Sequence, residues 1–442
     1  MGDAHQPLLK RIAAVLDAEP AEVPAIVAGW AMFFLLFTGY FMLRPVRETM
    51  GIAGGVDNLQ WLFTATFLAT LLALPLFGWI ASKAQRRRIL PWMYGLFVVN
   101  LVAFAIVFTQ DPDSVWNART FYVWLSVFNL LAISLAWSVL ADLLPIARAK
   151  SLFALIAAGA SLGGLTGPIL GALLVAPIGH AGLLMLAAMM LAASAAMSVW
   201  LQRWRDRNPL GQDEIAPREE PLGGSVLAGA TEVFRSRYLA MIALFVVLLA
   251  IVSTFLYFEQ ARLVAETFPD KTRQTQVFGL IDTVVQTLTI LVQVFLTGRI
   301  AQRFGVVALL AGVPLVMAAG FLWLALAPVF AVLAAVMIAR RVGEYALVRP
   351  GREMLFTVVA PEEKYKAKNF IDTVVYRGGD AVGGWVKRGL DVLAEHAALA
   401  MTIGAVIALA WAATGIYLGH RVRRDAVLKD GDRVPLGGVP DD

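Results

Sequence analysis

The chain has 442 residues, of which 59% are hydrophobic and only 16% are charged. An ordinary soluble protein carries about 25% charged and about 45–50% apolar residues, so this composition excludes most soluble folds and predicts a membrane protein. The formal net charge of +5 then indicates basic cytoplasmic loops rather than nucleic-acid binding. Because the chain has no cysteine, disulfides, thiol catalysis and thiolate metal sites are excluded as well.

The N-terminal stretch has no long apolar core behind Lys10 and Arg11, so it matches neither a signal peptide nor a transit peptide. Apolar residues at helical spacing between 7 and 19 favour a short helix lying along the membrane surface, with a solvated leader as the alternative. We therefore assign residues 1–23 to a cytoplasmic segment.

Apolar runs between charged or proline-containing breaks predict twelve membrane-spanning helices, since one pass with a short connection takes about 35–40 residues. Spans 1 to 6 are expected near 24–48, 57–81, 89–109, 119–143, 151–176 and 181–202. Spans 7 to 12 are expected near 238–258, 276–298, 306–326, 331–358, 369–394 and 397–419. The fold class is thus an all-α polytopic membrane protein with two six-helix bundles, 24–202 and 238–419, a polar cytoplasmic linker at 203–237 and a cytoplasmic tail at 420–442.

The distribution of lysine and arginine orients these spans. With the N-terminus inside, 24 of the 37 cations fall in inside segments and 8 fall on the opposite side even if Arg44 and Arg47 are counted there. Short cytoplasmic loops retain such residues, so both termini are predicted to be cytoplasmic and the protein to lie in the cytoplasmic (inner) membrane. The five remaining cations lie at membrane depth: Arg340, Arg341, Arg349, Arg352 and Arg377.

Two short strings recur along the chain. RPVRE at 44–48 in span 1 returns as RPGRE at 349–353 in span 10, and IDTVV at 281–285 in span 8 returns at 371–375 in span 11. Both recurrences join equivalent helices if each half consists of two inverted three-helix repeats. In this arrangement the sequence resembles the major facilitator superfamily of secondary transporters, which implies alternating access between two six-helix halves.

The loop between spans 2 and 3 is similar to that superfamily's Gly-x-x-x-Asp-Arg/Lys-x-Gly-Arg/Lys-Arg/Lys loop. Its sequence is GWIASKAQRRR, with Ser82 in place of the acid, and the counterpart GRIAQRFG has Gln302 there. The loss of both acids implies that other ion pairs close the inner gate.

Span 5 carries glycines at 159, 163, 167 and 171, a stripe along which a neighbouring helix can approach closely. Packing alone is one of two explanations of this stripe. The segment GGLTGPILGA also resembles the Gly-Pro signature of antiporters in the superfamily, and that resemblance implies exchange.

Charges inside the membrane cost at least about 2.5–3.5 kcal/mol on insertion scales, so they face a partner or a watered cavity. Arg44 and Arg47 share a helix face, and Glu48, four residues from Arg44, is placed to neutralise it. Arg349 and Arg352, with Glu353, repeat the pattern, so we predict that the four arginines bind phosphate or carboxylate. Pro45 and Pro350 predict kinked or broken helices at both motifs.

The sequence resembles most closely the branch of nucleotide transporters that exchange ATP for ADP or NTP for NDP. LRPVRET follows that family's Leu-Arg-x-x-Lys-Asp-Thr run, and YALVRPGREM and KYKAKNFIDTVV are similar to its segments in spans 10 and 11. The resemblance implies functional basic residues at Arg47 and Arg352 and functional acids at Asp142 and Glu259. Arg349 stands where the family has an acid, so the expected site is more cationic than the family pattern.

Alternatives remain open on the sequence alone. Gating salt bridges are the alternative explanation of the arginines. The candidate coupling or gating residues are Glu48, Asp142, Glu259, Asp282, Glu344, Glu353, Asp372, Arg377 and Asp380. A proton-coupled facilitator or exporter of an organic solute or drug is the second function, and a membrane-embedded transferase the third. No Gly-x-x-x-x-Gly-Lys-Ser/Thr loop is present, which argues against an ATP-driven pump.

We expect the protein to be a monomer without cofactor or metal and without enzyme activity. Its expected partners are a small anionic solute, such as a nucleotide, and the lipid bilayer.

Overall fold

The computed structural model describes residues 22–83, 86–143, 149–208, 228–393 and 397–431, and every regular element in these ranges is helical. Helices are expected, because a chain in lipid must satisfy its backbone hydrogen bonds within each spanning segment. The first seven are α1 (Val23–Ala53), α2 (Leu59–Lys83), α3 (Arg86–Gln110), α4 (Val115–Leu143), α5 (Ala149–Arg207), α6 (Ala228–Arg235) and α7 (Arg237–Thr267). The others are α8 (Lys271–Val292), α9 (Gly298–Leu326), α10 (Phe330–Gly343), α11 (Arg349–Leu355), α12 (Pro361–Phe370), α13 (Tyr376–Leu393) and α14 (Ala397–Gly431).

Eight helical stretches of the described chain are long and apolar enough to cross a membrane. Two of them, Ile156–Arg207 and Lys271–Leu326, have 52 and 56 residues, far more than the roughly 20 that one pass requires. Both contain a glycine with positive φ, Gly179 at 68° and Gly305 at 71°, a conformation that glycine adopts without steric cost. The helical path therefore changes direction at each of these two residues.

The chain forms two compact units. The first comprises Met1–Asn58, Leu68–Gly223 and Val264–Thr283, and the second comprises Leu59–Phe67, Gly224–Leu263 and Val284–Asp442. Each has its own apolar core, with Phe33 and Phe121 fully buried in the first and Phe245 and Trp411 fully buried in the second. The halves at 24–202 and 238–419 stay a prediction.

The glycine stripe of α5 packs directly against the backbone of α1. A Cβ atom added to Gly159 would lie 2.5 Å from the carbonyl oxygen of Trp30, and one added to Gly163 would lie 2.6 Å from that of Phe34. Such distances are too short for any side chain, so the predicted close approach of a neighbouring helix is confirmed.

The two proline motifs differ in their helical context. α1 continues through Pro45 without a break, whereas α10 is followed by a π-helical turn at Glu344–Val348 that ends just before Arg349. A second π turn at Gln293–Thr297 is bonded to the first: Gln293 Nε2 donates to the Tyr345 carbonyl at 3.2 Å and Thr297 Oγ1 to the Ala346 carbonyl at 2.8 Å. These bonds satisfy carbonyls that an α-helix would have paired internally.

Three sequence predictions fall outside the described residues: the surface helix at 7–19, most of the linker at 203–237 and the end of the tail at 420–442.

Candidate functional site

In the first unit, the arginine motif of α1 contacts the middle of α8. Arg44 Nε lies 3.8 Å from Asp282 Oδ2, and only 16% and 5% of the two side chains are exposed. The Arg44 guanidinium also lies 6.0 Å from the centroid of the Phe41 ring. The first of the four predicted anion-binding arginines is therefore partly buried and has an acidic partner.

Arg47 is held by α4 and by its neighbour in sequence. Its guanidinium contacts Glu48 at 2.5 Å and Ser126 Oγ at 3.4 Å, and it lies 5.2 Å from the centroid of the Tyr122 ring. The Ser126 hydroxyl donates in turn to the Tyr122 carbonyl at 2.8 Å. Glu48 thus contacts Arg47, and its neutralisation of Arg44 stays a prediction. The contact of Arg47 with α4 joins residues 79 apart in the chain, so helix spacing alone does not predict it.

Further polar contacts tie the start of α8 to the rest of the first unit. Thr275 Oγ1 lies 2.7 Å from Thr49 Oγ1 and 2.9 Å from His180 Nε2. Lys271 Nζ donates to Asp113 Oδ1 at 2.7 Å. In this exposed loop, the hydrogen bond and charge of Lys271 hold the pKa of Asp113 below its usual range. Together with Asp282, these side chains fix the register of α8 against α1.

In the second unit, two arginines share one carboxylate. Arg340 donates to Ser253 Oγ at 2.8 Å and to Glu344 Oε2 at 2.9 Å, and all three residues are buried. The other oxygen, Glu344 Oε1, lies 3.8 Å from Arg349. Arg349 is stacked over the Tyr345 ring, with 4.5 Å from guanidinium to ring centroid, and 57% of its side chain is exposed.

Arg352 forms an ion pair with an acid that is distant in sequence. Its Nη2 lies 3.1 Å from Asp372 Oδ1 on the π turn at Ile371–Val375, and 13% of the arginine side chain is exposed. Its Nε is buried without a hydrogen-bond partner among the described residues. A buried donor of this kind costs about 1–3 kcal/mol when nothing accepts from it.

The remaining predicted acids separate into different environments. Glu353 forms an exposed pair with Lys368 at 2.6 Å, and Glu259 pairs with Arg262 within α7. Asp380 is buried, 3.4 Å from Thr254 Oγ1 and 3.5 Å from Arg377. The side chain of Asp142 lies outside the described part of the structure.

The two recurring strings meet each other twice. An arginine of the first Arg-Pro-x-Arg-Glu copy contacts the aspartate of one Ile-Asp-Thr-Val-Val copy, Arg44 with Asp282, in the first unit. An arginine of the second copy contacts the aspartate of the other, Arg352 with Asp372, in the second unit. The sequence identified all four residues as candidates but did not establish the pairing.

Sequence reasoning missed the residues that orient the arginines, namely Tyr122, Ser126, Ser253 and Tyr345. Two of them carried a signal, because Tyr122 and Ser126 are four apart in α4 and therefore share a face. Ser253 and Tyr345 carry no such spacing. Their contacts depend on tertiary packing and on the π turn.

The family is decided by a match over more than half of the chain, residues 29–268, to the model of the Major Facilitator Superfamily. The chain belongs to the Major Facilitator Superfamily. As a member of that superfamily, the protein is a multi-pass membrane transporter. A sequence comparison with curated proteins gives no match.

Solved structures of transporters share the fold. A bacterial homologue of the iron transporter ferroportin superposes with a TM-score of 0.64 at 13% identity, covering 91% of this chain and 98% of that one. A bacterial homologue of the human lysosomal transporter Spinster gives 0.62 at 15% identity, covering 92% and 99%. A variant of the nucleoside transporter NupG gives 0.60 at 14% identity, covering 91% and 99%. Identities this low establish the fold alone.

Proposed function

We propose that the protein is a secondary transporter that exchanges an anionic, phosphate-bearing solute, such as a nucleotide, by alternating access. Arg44, Arg47, Arg349 and Arg352 bind the anionic part of the solute. Guanidinium groups suit this role because they remain charged and present N–H donors in a planar fork that matches phosphate and carboxylate oxygens.

The observation that carries this proposal is the state of Arg352. It makes one contact with a carboxylate, at 3.1 Å, and keeps a buried Nε without a partner among the described residues. A solute oxygen would accept from this donor. The charge of the neighbouring Arg340 and Arg349 favours an anion as well, and the carboxylates that these three arginines contact include Glu344 and Asp372.

The ion pairs support a role for the acids in the same cycle. Asp282 and Asp372 neutralise motif arginines in the absence of solute, and Glu48 neutralises Arg47. An anionic solute competes with these carboxylates for the arginines. Such competition suits strict exchange of one anion for another. The positive charge of the arginines is neutralised by the carboxylates before the solute binds and by the solute afterwards.

We further infer twelve passes with both termini in the cytoplasm of a cytoplasmic-membrane protein that acts as a monomer. Each of the two stretches longer than 50 residues has length for two passes. The region 330–393 supplies two further passes. Its arginine and aspartate clusters lower its mean hydropathy.

The second candidate function is proton-coupled transport of an organic solute. The observation that favours it is Asp380, a buried carboxyl group whose contacts with Thr254 and Arg377 are long, at 3.4 and 3.5 Å. A carboxylate in such surroundings can change its protonation during a cycle. Accumulation driven by a pH gradient alone would distinguish it from exchange.

A binding screen tests the proposed function. Purified full-length protein is mixed with nucleoside di- and triphosphates or with neutral amphiphiles, and thermal unfolding is followed. A ligand at 100 times its Kd stabilises the native state by about 2.7 kcal/mol, so we expect the nucleotides to raise the Tm measurably and the neutral amphiphiles to leave it unchanged. The opposite pattern would support the proton-coupled alternative.

A further inference from the structure

The second unit carries a group of arginines on the helix pair α9 and α14. Two lie near the start of α9 and three in the second half of α14, and all are exposed: Arg299, Arg303, Arg421, Arg423 and Arg424. Apart from this arginine group, residues 298–326 and 397–424 contain no lysine, arginine, aspartate or glutamate. The charge of these two stretches is therefore entirely positive.

The packing of the two helices brings both parts of the arginine group to one end. Three glycines of α14 pack so closely on α9 that an added Cβ atom would lie within 2.9 Å of the partner: Gly404 with Phe321, Gly415 with Leu310 and Gly419 with Val307. Residue numbers rise along one helix as they fall along the other, so the helices are antiparallel. Arg303 and Arg423 each lie four residues beyond the last of these contacts, and they do so on the same side of it.

This end of the helix pair lies at a membrane boundary. α9 changes direction at Gly305, and residues 306–326 after the bend have about the length of one pass. In α14, the apolar stretch Ala398–Arg424 has 27 residues, more than the roughly 20 that cross the hydrocarbon, and its charges are confined to the last four. Tyr417, 46% exposed, lies one turn before them, as tyrosines do at the level of lipid headgroups.

The arginine group keeps its positive charge in the structure. The Arg303 guanidinium lies 5.5 Å from the centroid of the Phe304 ring, and Arg421 lies 3.5 Å from the Tyr417 hydroxyl, so both contact neutral neighbours on their own helices. In the described part of the chain, no carboxylate forms an ion pair with the other members or with Arg303, that is, with Arg299, Arg303, Arg423 and Arg424. The side chain of the next residue, Asp425, lies outside the described part.

We propose that this arginine group binds the phosphate of an anionic phospholipid. Guanidinium groups match phosphate oxygens, and clusters of four or more basic residues just outside a membrane span attract anionic lipids. Exposed apolar side chains of the same helices, such as Val316 and Val406, offer a surface for the acyl chains, which a free anion would not use. The lipid site shares no residue with the proposed solute site, so it does not depend on which solute is transported.

The test compares two lipids that differ in headgroup charge. Purified full-length protein in nonionic detergent is titrated with phosphatidylglycerol or with phosphatidylcholine of the same acyl chains, and bound lipid is measured by native mass spectrometry. Each arginine near an anionic surface contributes about fivefold to binding. The double variant Arg423→Gln/Arg424→Gln is therefore expected to raise the Kd for phosphatidylglycerol about tenfold or more and to change that for phosphatidylcholine less than about twofold. Arg299→Gln/Arg303→Gln is expected to act in the same way.

The matched control removes the same charge elsewhere. Arg203 and Arg207 are exposed at the end of α5, where Asp206 lies between them, so Arg203→Gln/Arg207→Gln is expected to change the Kd for phosphatidylglycerol less than about twofold. Equal binding of the two lipids by the unsubstituted protein, no effect of the α9 and α14 variants, or an equal loss in the control would overturn the site.

Two measurements on the unsubstituted protein complete the test and need no variant to fold. Added NaCl is expected to raise the Kd for phosphatidylglycerol, because salt screens exposed charges, and to leave that for phosphatidylcholine unchanged. Excess inorganic phosphate at constant ionic strength is expected to leave the bound lipid in place. A Kd for phosphatidylglycerol that does not depend on salt, or displacement of the lipid by inorganic phosphate, which would indicate a site for a free anion, would contradict the proposal.

Discussion

Replacing Arg47 or Arg352 with glutamine is expected to reduce uptake of anionic solutes at least tenfold in proteoliposomes. Each substitution removes charge-assisted hydrogen bonds worth about 1.5–3 kcal/mol apiece and leaves an acid, Glu48 or Asp372, without its arginine. Lysine at either position keeps the charge but loses the bidentate fork, so its effect is expected to be intermediate. Initial rates of labelled nucleotide uptake provide the measurement.

The matched control is Arg273→Gln, because Arg273 is exposed and its side chain contacts Gln276 on the same helix. This variant is expected to transport normally. All variants are first checked for an unchanged elution profile and Tm. Unaltered uptake of every anionic solute by Arg47→Gln and Arg352→Gln would remove the basis for the arginine site.

Alanine at both Gly163 and Gly167 is expected to prevent recovery of stable protein. The new Cβ atoms would lie 2.6 Å from the carbonyl oxygens of Phe34 and Thr38, which belong to the backbone of α1 and cannot rotate away. Overpacking costs about 1–3 kcal/mol per site, and two sites together approach the roughly 5–15 kcal/mol of net stability that proteins have. The Tm of each single variant measures the effect.

Gly312→Ala provides the control in α9, because a Cβ atom there meets nothing within 4 Å. Alanine is a better helix former than glycine by about 0.8–1.0 kcal/mol, so this variant should keep or raise the Tm while the α5 variants lower it. A Tm that does not fall in Gly163→Ala would mean that α5 and α1 are not in backbone contact.

Much of the fold follows from the sequence, because apolar runs and glycine spacing depend on residues close together in the chain. The stripe at Gly159, Gly163, Gly167 and Gly171 needs only a period of four, and its contact with α1 appears as predicted. The π turns were not predicted. They depend on bonds between distant helices, such as Gln293 with Tyr345.

The candidate site was predictable in its residues but not in its pairing. Repetition of the two strings singled out Arg44, Arg352, Asp282 and Asp372, since charges at membrane depth need partners. Which acid meets which arginine depends on helix rotation and tilt, and these are set by packing over the whole bundle. For the same reason, the spacing of the motif did not predict the contact of Glu48 with Arg47.

The exchange reaction itself tests the central claim most directly. Proteoliposomes are loaded with unlabelled nucleotide or left empty, and uptake of labelled ADP is followed without a pH gradient. We predict rapid uptake into the loaded vesicles, little into the empty ones, and loss of exchange in Arg47→Gln and Arg352→Gln. Equal ADP uptake into empty and loaded vesicles, or accumulation only when a pH gradient is imposed, would contradict anion exchange by the paired arginine motifs.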